Sequence, residues 1–211
     1  MRGVFVTFEG TEGVGKTTQI QRLSADLTVQ RYSVIVTREP GGTEISEQIR
    51  LLLLDPENTA MESTTELLLY AASRAQHVLE KIIPALEAGK VVISDRFADA
   101  SLAYQGYGRG LDLDLIRNLN RIATSGIVPD ITFLLDLPVD IGLKRAGKRG
   151  QGFDRLEREK TEFYRRIRQG YLEIVDQEPS RIKVIPAEHN EDQVYTFIKE
   201  EIVTLFNGQK S

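Results

Sequence analysis

Short apolar runs alternate with longer segments of helical periodicity along the whole chain. Runs rich in β-branched and aromatic residues predict strands at residues 3–9, 33–37, 90–94, 131–136 and 181–185. The segments between them carry apolar residues at helical spacing, at residues 16–30, 44–53, 64–88, 113–124, 141–149, 156–176 and 191–206. This alternation predicts an α/β fold in which a five-stranded parallel sheet has helices on both faces.

Two glycine-rich stretches interrupt this pattern and predict irregular structure. Residues 104–110 read Y-Q-G-Y-G-R-G, and residues 147–154 read G-K-R-G-Q-G-F-D. The second stretch lies in a basic region, and a basic segment of about residues 144–156 is therefore a candidate for a lid, with a plain surface loop as the alternative. No repeat or linker divides the chain, so residues 1–211 are expected to form a single domain.

The composition excludes some classes of protein but does not identify a function. Apolar residues make up 41% of 211 residues, which is enough for a sizeable core. The longest obvious apolar stretch has four residues, so no membrane span is expected, and a cleaved signal is not expected because a functional motif begins at residue 10. Zero cysteines suit a reducing compartment, and a cytoplasmic location is expected. The formal charge of −4 argues against general nucleic-acid binding.

The most specific local motif is residues 10–17, G-T-E-G-V-G-K-T, which match a phosphate-binding loop. It follows a predicted strand and opens a predicted helix, so backbone N–H groups and the positive helix end would face phosphate oxygens. Lys16 would reach the β- and γ-phosphates of a nucleotide, and Thr17 would place its hydroxyl on Mg²⁺. The residues expected to bind the nucleotide are Gly10, Thr11, Glu12, Gly13, Val14, Gly15, Lys16, Thr17 and Thr18.

Charged residues follow several predicted strands at the sheet edge where ligands of such folds bind. Arg38 follows the second strand, and Asp95 and Arg96 follow the third. Arginine pairs with phosphate through its planar fork, so these positions favour phosphate binding. Asp95 is a candidate to support Mg²⁺, with a structural ion pair to Arg96 or Lys16 as the alternative.

Further candidates lie on the long predicted helix and in the basic segment. Tyr70 and Arg74 are four residues apart, so a ring and a guanidinium share one helix face and could hold a nucleobase. A core tyrosine beside a surface arginine explains the same spacing equally well. Arg145, Arg149 and Arg155 supply cations in the basic segment.

Taken in order, the motifs resemble those of bacterial thymidylate kinases. They are E-G-x-E-G-x-G-K-T-T, T-R-E-P-G-G, Y-A-A-S-R, D-R-F, A-Y-Q-G-x-G-R-G, P-D-I-T-F-L-L-D and D-R-L-E, and they run from residue 8 to about residue 168. The resemblance implies a phosphate-loop NTPase fold of the nucleoside monophosphate kinase type with a short lid. It also implies transfer of the γ-phosphoryl group of ATP to dTMP with Mg²⁺, and a homodimer.

The same resemblance implies roles for single residues. Lys16 would hold the donor phosphates, and Arg38 and Arg96 the acceptor phosphate. Glu12 would lie near the sugar 3′-hydroxyl. Arg149 or Arg155 would contact the transferred phosphoryl group, because Gly13 stands where some relatives place an arginine. The thymine and its sugar would be read by Tyr70, Arg74, Ser101, Tyr104 and Gln105.

Alternatives remain open at the level of the sequence. A kinase for another nucleotide or a nucleoside would use the same donor machinery, although two acceptor-side arginines favour an acceptor that already bears a phosphate. A nucleotide-driven switch without a small acceptor is a second alternative. The Asn-Lys-x-Asp motif of guanine-specific switches is missing from the sequence, as is a second lysine early in the phosphate loop.

Overall fold

A five-stranded, all-parallel sheet organises the computed structural model, which describes residues 2–147 and 154–208. The strand order is β2-β3-β1-β4-β5. The strands are β1 Phe5–Glu9, β2 Val34–Arg38, β3 Val91–Asp95, β4 Ile131–Asp136 and β5 Ile182–Pro186. All five predicted strands are confirmed, and their ends shift by at most two residues.

Helices connect the strands and cover both faces of the sheet. The α-helices of the described residues are α1 Lys16–Val29, α2 Glu44–Leu54, α3 Ser63–His77, α4 Ile83–Glu87, α5 Ala98–Ser101, α6 Leu113–Ala123, α7 Val139–Gly147, α8 Thr161–Gln177 and α9 Glu191–Gly208. Two π-helical stretches, Val78–Ile82 and Leu102–Gly108, continue α3 and α5. The predicted α/β class with helices on both faces is confirmed.

The residues of β1 alternate between two cores, because successive strand residues point to opposite faces of a sheet. Val6 and Phe8 pack into a cluster with residues of α1 and α9. Phe5 packs on the other face with Phe97 and residues of the first π-helical stretch and α4. Since both faces are buried, the strand reads as a continuous apolar run in the sequence.

The carboxyl ends of the central strands converge at one edge of the sheet. Arg38 at the end of β2 is in register with Asp95 at the end of β3, and Asp95 is in register with Phe8 of β1. The phosphate loop follows β1 directly. The parallel register therefore gathers charged residues far apart in sequence into one neighbourhood.

The helix predicted over residues 64–88 is present but changes its winding. It runs as α3, a π-helical turn over Val78–Ile82, and α4. Pro84 stands at the start of α4. Proline has no N–H to donate and its ring crowds the carbonyl four residues earlier, and a locally wider turn relieves that contact.

The prediction of irregular structure at residues 104–110 is wrong. These residues lie largely in the π-helical stretch Leu102–Gly108, and most of that stretch is buried. A Cβ on Gly108 would come within 2.8 Å of Phe163 Cε2, and a Cβ on Gly106 would overlap Leu113 Cδ2. The glycines therefore mark close packing against α6 and α8 and do not mark a loop.

The helix predicted from residue 156 begins later, at Thr161. The Asp154 carboxylate accepts hydrogen bonds from the backbone N–H groups of Leu156 (2.9 Å) and Glu157 (2.8 Å), which fixes a separate turn ahead of α8. The Tyr164 hydroxyl donates to Leu156 O at 2.8 Å and holds that turn against the helix. The helix predicted over residues 141–149 is α7, and its last two predicted residues lie outside the described residues.

Across residues 2–147 and 154–208, none of the helices combines the length and the apolar character that a bilayer crossing requires.

Candidate active site

The loop between β1 and α1 has the backbone geometry of an anion cradle. Gly13 and Gly15 have φ angles of 71° and 96°, in the left-handed region that favours glycine. Gly15 is the N-cap residue of α1, so the positive helix end opens at the loop. Lys16 Nζ donates to Gly10 O at 3.3 Å and to Thr11 O at 3.1 Å, and the lysine lies folded over the loop.

The loop is packed backbone to backbone against α7. A Cβ added to Gly13 would overlap Gly142 O, and a Cβ added to Gly142 would overlap Glu12 O. The two glycines therefore permit a close approach that fixes where the loop lies. This contact couples the phosphate loop to the helix that leads into the basic segment.

Most of the predicted site residues line one cavity of about 870 Å³. The predicted residues among its lining are Glu12, Gly13, Val14, Gly15, Lys16, Thr17, Thr18, Arg38, Tyr70, Asp95, Arg96, Ser101, Tyr104 and Gln105. Gly10 and Thr11 contribute carbonyl groups to Lys16 and are not part of the lining. A cavity of this size accommodates a nucleotide.

Arg38 lies at the cavity mouth and is held by a carboxylate. Its Nη2 donates to both Glu47 oxygens at 3.0 Å, and its side chain is 54% exposed. Glu47 also accepts from Gly42 N at 2.8 Å, so its carboxylate is fixed by the turn before α2. The guanidinium is thus placed in advance and faces solvent.

Arg96 is oriented by contacts on every side. It adopts a φ of 71°, which is uncommon for a residue other than glycine and is found at functional sites. Its Nη1 donates to Gly10 O at 2.8 Å and its Nη2 contacts Glu12 Oε1 at 2.5 Å. Its guanidinium carbon lies 4.8 Å from the centre of the Tyr104 ring. The cation therefore sits between the phosphate loop and an aromatic wall.

Tyr70 and Arg74 occupy different positions, although they share a helix face. Tyr70 lines the cavity, but Arg74 is only 2% exposed and lies behind the lining. Its guanidinium donates to Glu39 Oε2 (2.7 Å), Asn120 Oδ1 (2.7 Å), Phe97 O (2.9 Å) and Ser101 Oγ (3.0 Å). The alternative of a surface arginine is wrong. Direct contact between Arg74 and a base stays a prediction.

Arg155 is tied to the body of the protein. Its Nε donates to Leu53 O at 2.8 Å and its Nη2 lies 2.6 Å from Glu66 Oε2. It does not line the cavity, and its side chain is 10% exposed. These contacts hold the guanidinium against Glu66 and Leu53, and contact between Arg155 and a transferred group stays a prediction. The other candidate, Arg149, lies outside the described residues, as does the middle of the predicted lid at residues 148–153.

Asp95 and Thr17, the residues predicted to bind magnesium, lie at the same cavity. Both line the cavity, and the buried Asp95 Oδ1 has no hydrogen-bond partner among the described residues. The structural ion pair considered for Asp95 is not found with either Arg96 or Lys16 in this part of the chain. In the described residues no cluster of three or more acidic or histidine side chains could hold a metal. Mg²⁺ needs none, because it keeps waters and substrate phosphates as ligands.

Comparison with known proteins assigns this site to a family. The Thymidylate kinase family model matches residues 8–198. The chain belongs to the thymidylate kinase family. A thymidylate kinase of Geotalea daltonii is 49% identical over 212 residues, covering 98% of this chain and 99% of the relative. One from Geotalea uraniireducens is 56% identical over 188 residues, covering 87% and 88%.

A solved structure supports the same assignment. The crystal structure of thymidylate kinase from Ehrlichia chaffeensis matches with a TM-score of 0.78 and 36% identity, over 96% of this chain and 99% of that chain. The predicted phosphate-loop nucleoside monophosphate kinase fold is therefore confirmed. The thymidylate kinase family consists of enzymes, so the chain is a nucleotide kinase.

A second cavity that also borders the phosphate loop was not predicted from the sequence. It has a volume of about 350 Å³ and shares Gly13, Val14 and Gly15 with the first cavity. Its lining also includes Ala187, His189 and Asn190, together with Arg145, which lines both cavities. The segment that follows β5 supplies three of them. The rule that ligands bind beyond the carboxyl ends of strands would have found this segment.

Glu9, the last residue of β1, is a buried carboxyl group beneath the site. Tyr171 Oη donates to its Oε2 at 2.6 Å and Phe97 N donates to its Oε1 at 2.7 Å. Burial, followed by the negative charge of Asp99, raises the pKa of Glu9 to about 7, although Arg96 and the two hydrogen bonds oppose the shift. In this thymidylate kinase family member the group therefore titrates in the physiological range.

We expect stability to fall as Glu9 ionises. Its pKa rises on folding from 4.5 to about 7, so its contribution is fully present below pH 4.5 and is lost as the pH rises through 7. A shift of this size corresponds to roughly 3–4 kcal/mol. Glu9→Gln mimics the protonated form and should be more stable than the wild type at pH 8, with the difference vanishing near pH 4.5. Urea unfolding followed by circular dichroism across this range measures it.

The matched control is Glu87→Gln, which changes an exposed glutamate at the end of α4. This variant should follow the wild-type pH profile. Equal stabilities of the Glu9→Gln variant and the wild type at both ends of the range would contradict the raised pKa.

Proposed function

We propose that this protein transfers the γ-phosphoryl group of ATP to dTMP and forms dTDP and ADP. The observation that carries the proposal is a pair of cavities that share the phosphate-loop residues Gly13, Val14 and Gly15 in their linings, which suits two nucleotides meeting at that loop. The names of the curated relatives support thymidine monophosphate as the acceptor. Phosphoryl transfer requires alignment and charge neutralisation more than covalent catalysis, and the site is rich in fixed cations.

The acceptor occupies the larger cavity in this proposal. Arg38 and Arg96 bind its phosphate, since both line the cavity and guanidinium groups pair bidentately with phosphate oxygens. Glu12, which orients Arg96, lies near the sugar. The half-buried Tyr70 ring stacks on the base, while Tyr104, Ser101 and Gln105 close the wall around the sugar and base edge.

The donor lies across the phosphate loop. Backbone N–H groups at the start of α1 face its phosphates, and Lys16 bridges to the transferred group. Its adenine occupies the smaller cavity beside His189 and Asn190. Arg145 lines both cavities and adds positive charge between them. The lid contributes Arg149 in preference to Arg155, whose guanidinium is committed to Glu66.

Mg²⁺ fits this site as a partner of ATP. Thr17 and Asp95 would hold it, through the hydroxyl of the exposed Thr17 and through the buried Asp95 Oδ1, which has no hydrogen-bond partner in the described part of the chain. The ion would neutralise charge on the donor phosphates.

The protein acts as a homodimer in the cytoplasm in this proposal. Exposed apolar side chains on the adjacent helices α2, α3 and α6 support the dimer, among them Ile45, Leu52, Leu68 and Ile122. The composition without cysteine suits the reducing environment of the cytoplasm.

A coupled assay of ATP consumption across a panel of monophosphates tests the function. dTMP should accelerate ATP consumption at least about tenfold more than dCMP or GMP, because the acceptor wall must match the base edge. If another monophosphate accelerates ATP consumption more than dTMP does, that monophosphate is the acceptor. ATP hydrolysis that ignores every added acceptor would refute the kinase and favour a nucleotide-driven switch.

A further inference from the structure

Gln105 presents a defined end of its amide to the acceptor cavity. The residue lines the cavity but is only 1% exposed. Its Nε2 donates to Glu66 Oε1 at 2.9 Å. The amide nitrogen is therefore engaged behind the wall, and the carbonyl oxygen is the end that remains for a ligand.

Glu66 can act only as an acceptor in this contact, because it is held as a carboxylate. It is buried, yet Arg109 reaches it through Nε at 3.2 Å and Nη2 at 3.0 Å, and Arg155 Nη2 lies 2.6 Å away. Burial would raise the pKa of Glu66, but hydrogen bonds from Arg109 and Gln105 and the two arginine charges outweigh it and lower the pKa. A flipped Gln105 amide would set oxygen against oxygen in a buried place, which is costly.

Ser101 next to Gln105 has the opposite polarity. The two residues are four positions apart on one helical segment, and both line the cavity. Ser101 Oγ accepts from Arg74 Nη1 at 3.0 Å, so its hydroxyl proton is left to donate. The buried Arg74 thus leaves the Ser101 hydroxyl as a donor toward the cavity, and the buried Glu66 leaves the Gln105 amide oxygen as an acceptor.

This donor and acceptor pair distinguishes pyrimidines. Thymine and uracil offer a carbonyl oxygen beside the N3–H donor, which complements a hydroxyl donor beside an amide oxygen. Cytosine offers an amino donor beside an N3 acceptor, so it mismatches both groups. Unpaired polar groups in a closed site reject a ligand more strongly than lost apolar contacts do.

We propose that Glu66 is a positioning residue for base specificity, which holds the Gln105 amide with its oxygen toward the cavity so that it accepts from N3–H of thymine. This inference rests on the proposed function, since it assumes a thymine-bearing acceptor. Glu66 itself touches no substrate. It acts through Gln105, and its two arginine partners keep it ionised.

The test compares kcat/KM for dTMP, dUMP and dCMP in the wild type and in Glu66→Gln. Removing the charge frees the Gln105 amide to turn, so the dTMP/dCMP ratio should fall about ten- to a hundredfold. The dTMP/dUMP ratio should stay within about twofold of the wild type, because those bases share one edge and differ by a methyl group. General damage to the site would change both ratios together.

Glu159→Gln is the matched control. Glu159 also pairs with Arg109, but the Gln105 amide donates to Glu66, so both ratios should stay at their wild-type values in Glu159→Gln. Circular dichroism verifies folding. Should Glu66→Gln fail to fold, Glu66→Asp keeps the buried charge and shortens its reach, and its dTMP/dCMP ratio should fall at least about threefold.

A folded Glu66 variant with an unchanged dTMP/dCMP ratio, or with parallel changes in both ratios, would overturn the positioning role. Failure of the wild-type protein to phosphorylate dTMP would refute the proposed function separately.

Discussion

The Lys16→Met variant should lose about a hundred- to a thousandfold in kcat while its folded structure persists. Lys16 Nζ contacts only the carbonyl groups of Gly10 and Thr11 among the described residues, with no carboxylate within ion-pair distance there. Burial, then the charge of Arg96, lowers the pKa of Lys16, so burying the ammonium costs free energy that a bound phosphate would offset. Removing this charge should leave the free energy of unfolding unchanged or raised.

Steady-state kinetics and urea unfolding of the same preparations measure both effects. Lys199→Met serves as the control. Lys199 is an exposed residue of α9, and it forms a surface ion pair with Asp26. The control should keep its kcat. A large loss of stability in Lys16→Met would instead give the lysine a structural role, and full activity would remove it from the mechanism.

The Gly142→Ala variant should lose both stability and activity, although replacing glycine by alanine usually stabilises a helix. Alanine is about 1 kcal/mol better than glycine in a helix interior. Here the new Cβ would overlap Glu12 O in the phosphate loop, and backbone cannot move aside as a flexible side chain can. We expect a net destabilisation of about 1–3 kcal/mol, typical of overpacking. Displacement of the loop should lower kcat about tenfold or more.

Gly208→Ala is the matched helical control. Among the described residues, no atom beyond the neighbouring backbone of the same helix lies within 4 Å of a Cβ built on this residue at the end of α9, so the change should be neutral or slightly stabilising. Thermal unfolding and the coupled kinase assay distinguish the two glycines. A Gly142→Ala variant as stable and active as the wild type would show that the loop and α7 separate readily.

The strands and the phosphate loop were predictable because their signals are local. The apolar run of β1, the glycines at residues 10–15 and the periodicity of α1 lie within 30 residues and reinforce one another. The convergence of Arg38, Asp95 and Arg96 also followed, since parallel strands bring their carboxyl ends together. These residues line one cavity in the structure, as the sequence analysis predicts.

Features that depend on long-range packing were not predictable in the same way. The glycines at residues 106 and 108 read as a loop, but they accommodate Leu113 and Phe163 from neighbouring helices. Glu66 shows no local signal, because its partners Gln105 and Arg109 are 39 and 43 residues away. Arg155 resembled a mobile cation for the same reason, since its binding partners come from distant segments.

Because Arg38 is paired with Glu47, binding of the acceptor phosphate would exchange one anion for another at this guanidinium. If Arg38 binds the acceptor phosphate as proposed, the incoming group competes with a carboxylate that already accepts from Arg38 Nη2 through two contacts of 3.0 Å. A singly charged anion gains little from such a substitution, whereas a phosphate monoester brings a second charge and a third oxygen. Glu47 would then act as a selectivity filter against weaker competitors such as chloride, while its carboxylate keeps the hydrogen bond from Gly42 N.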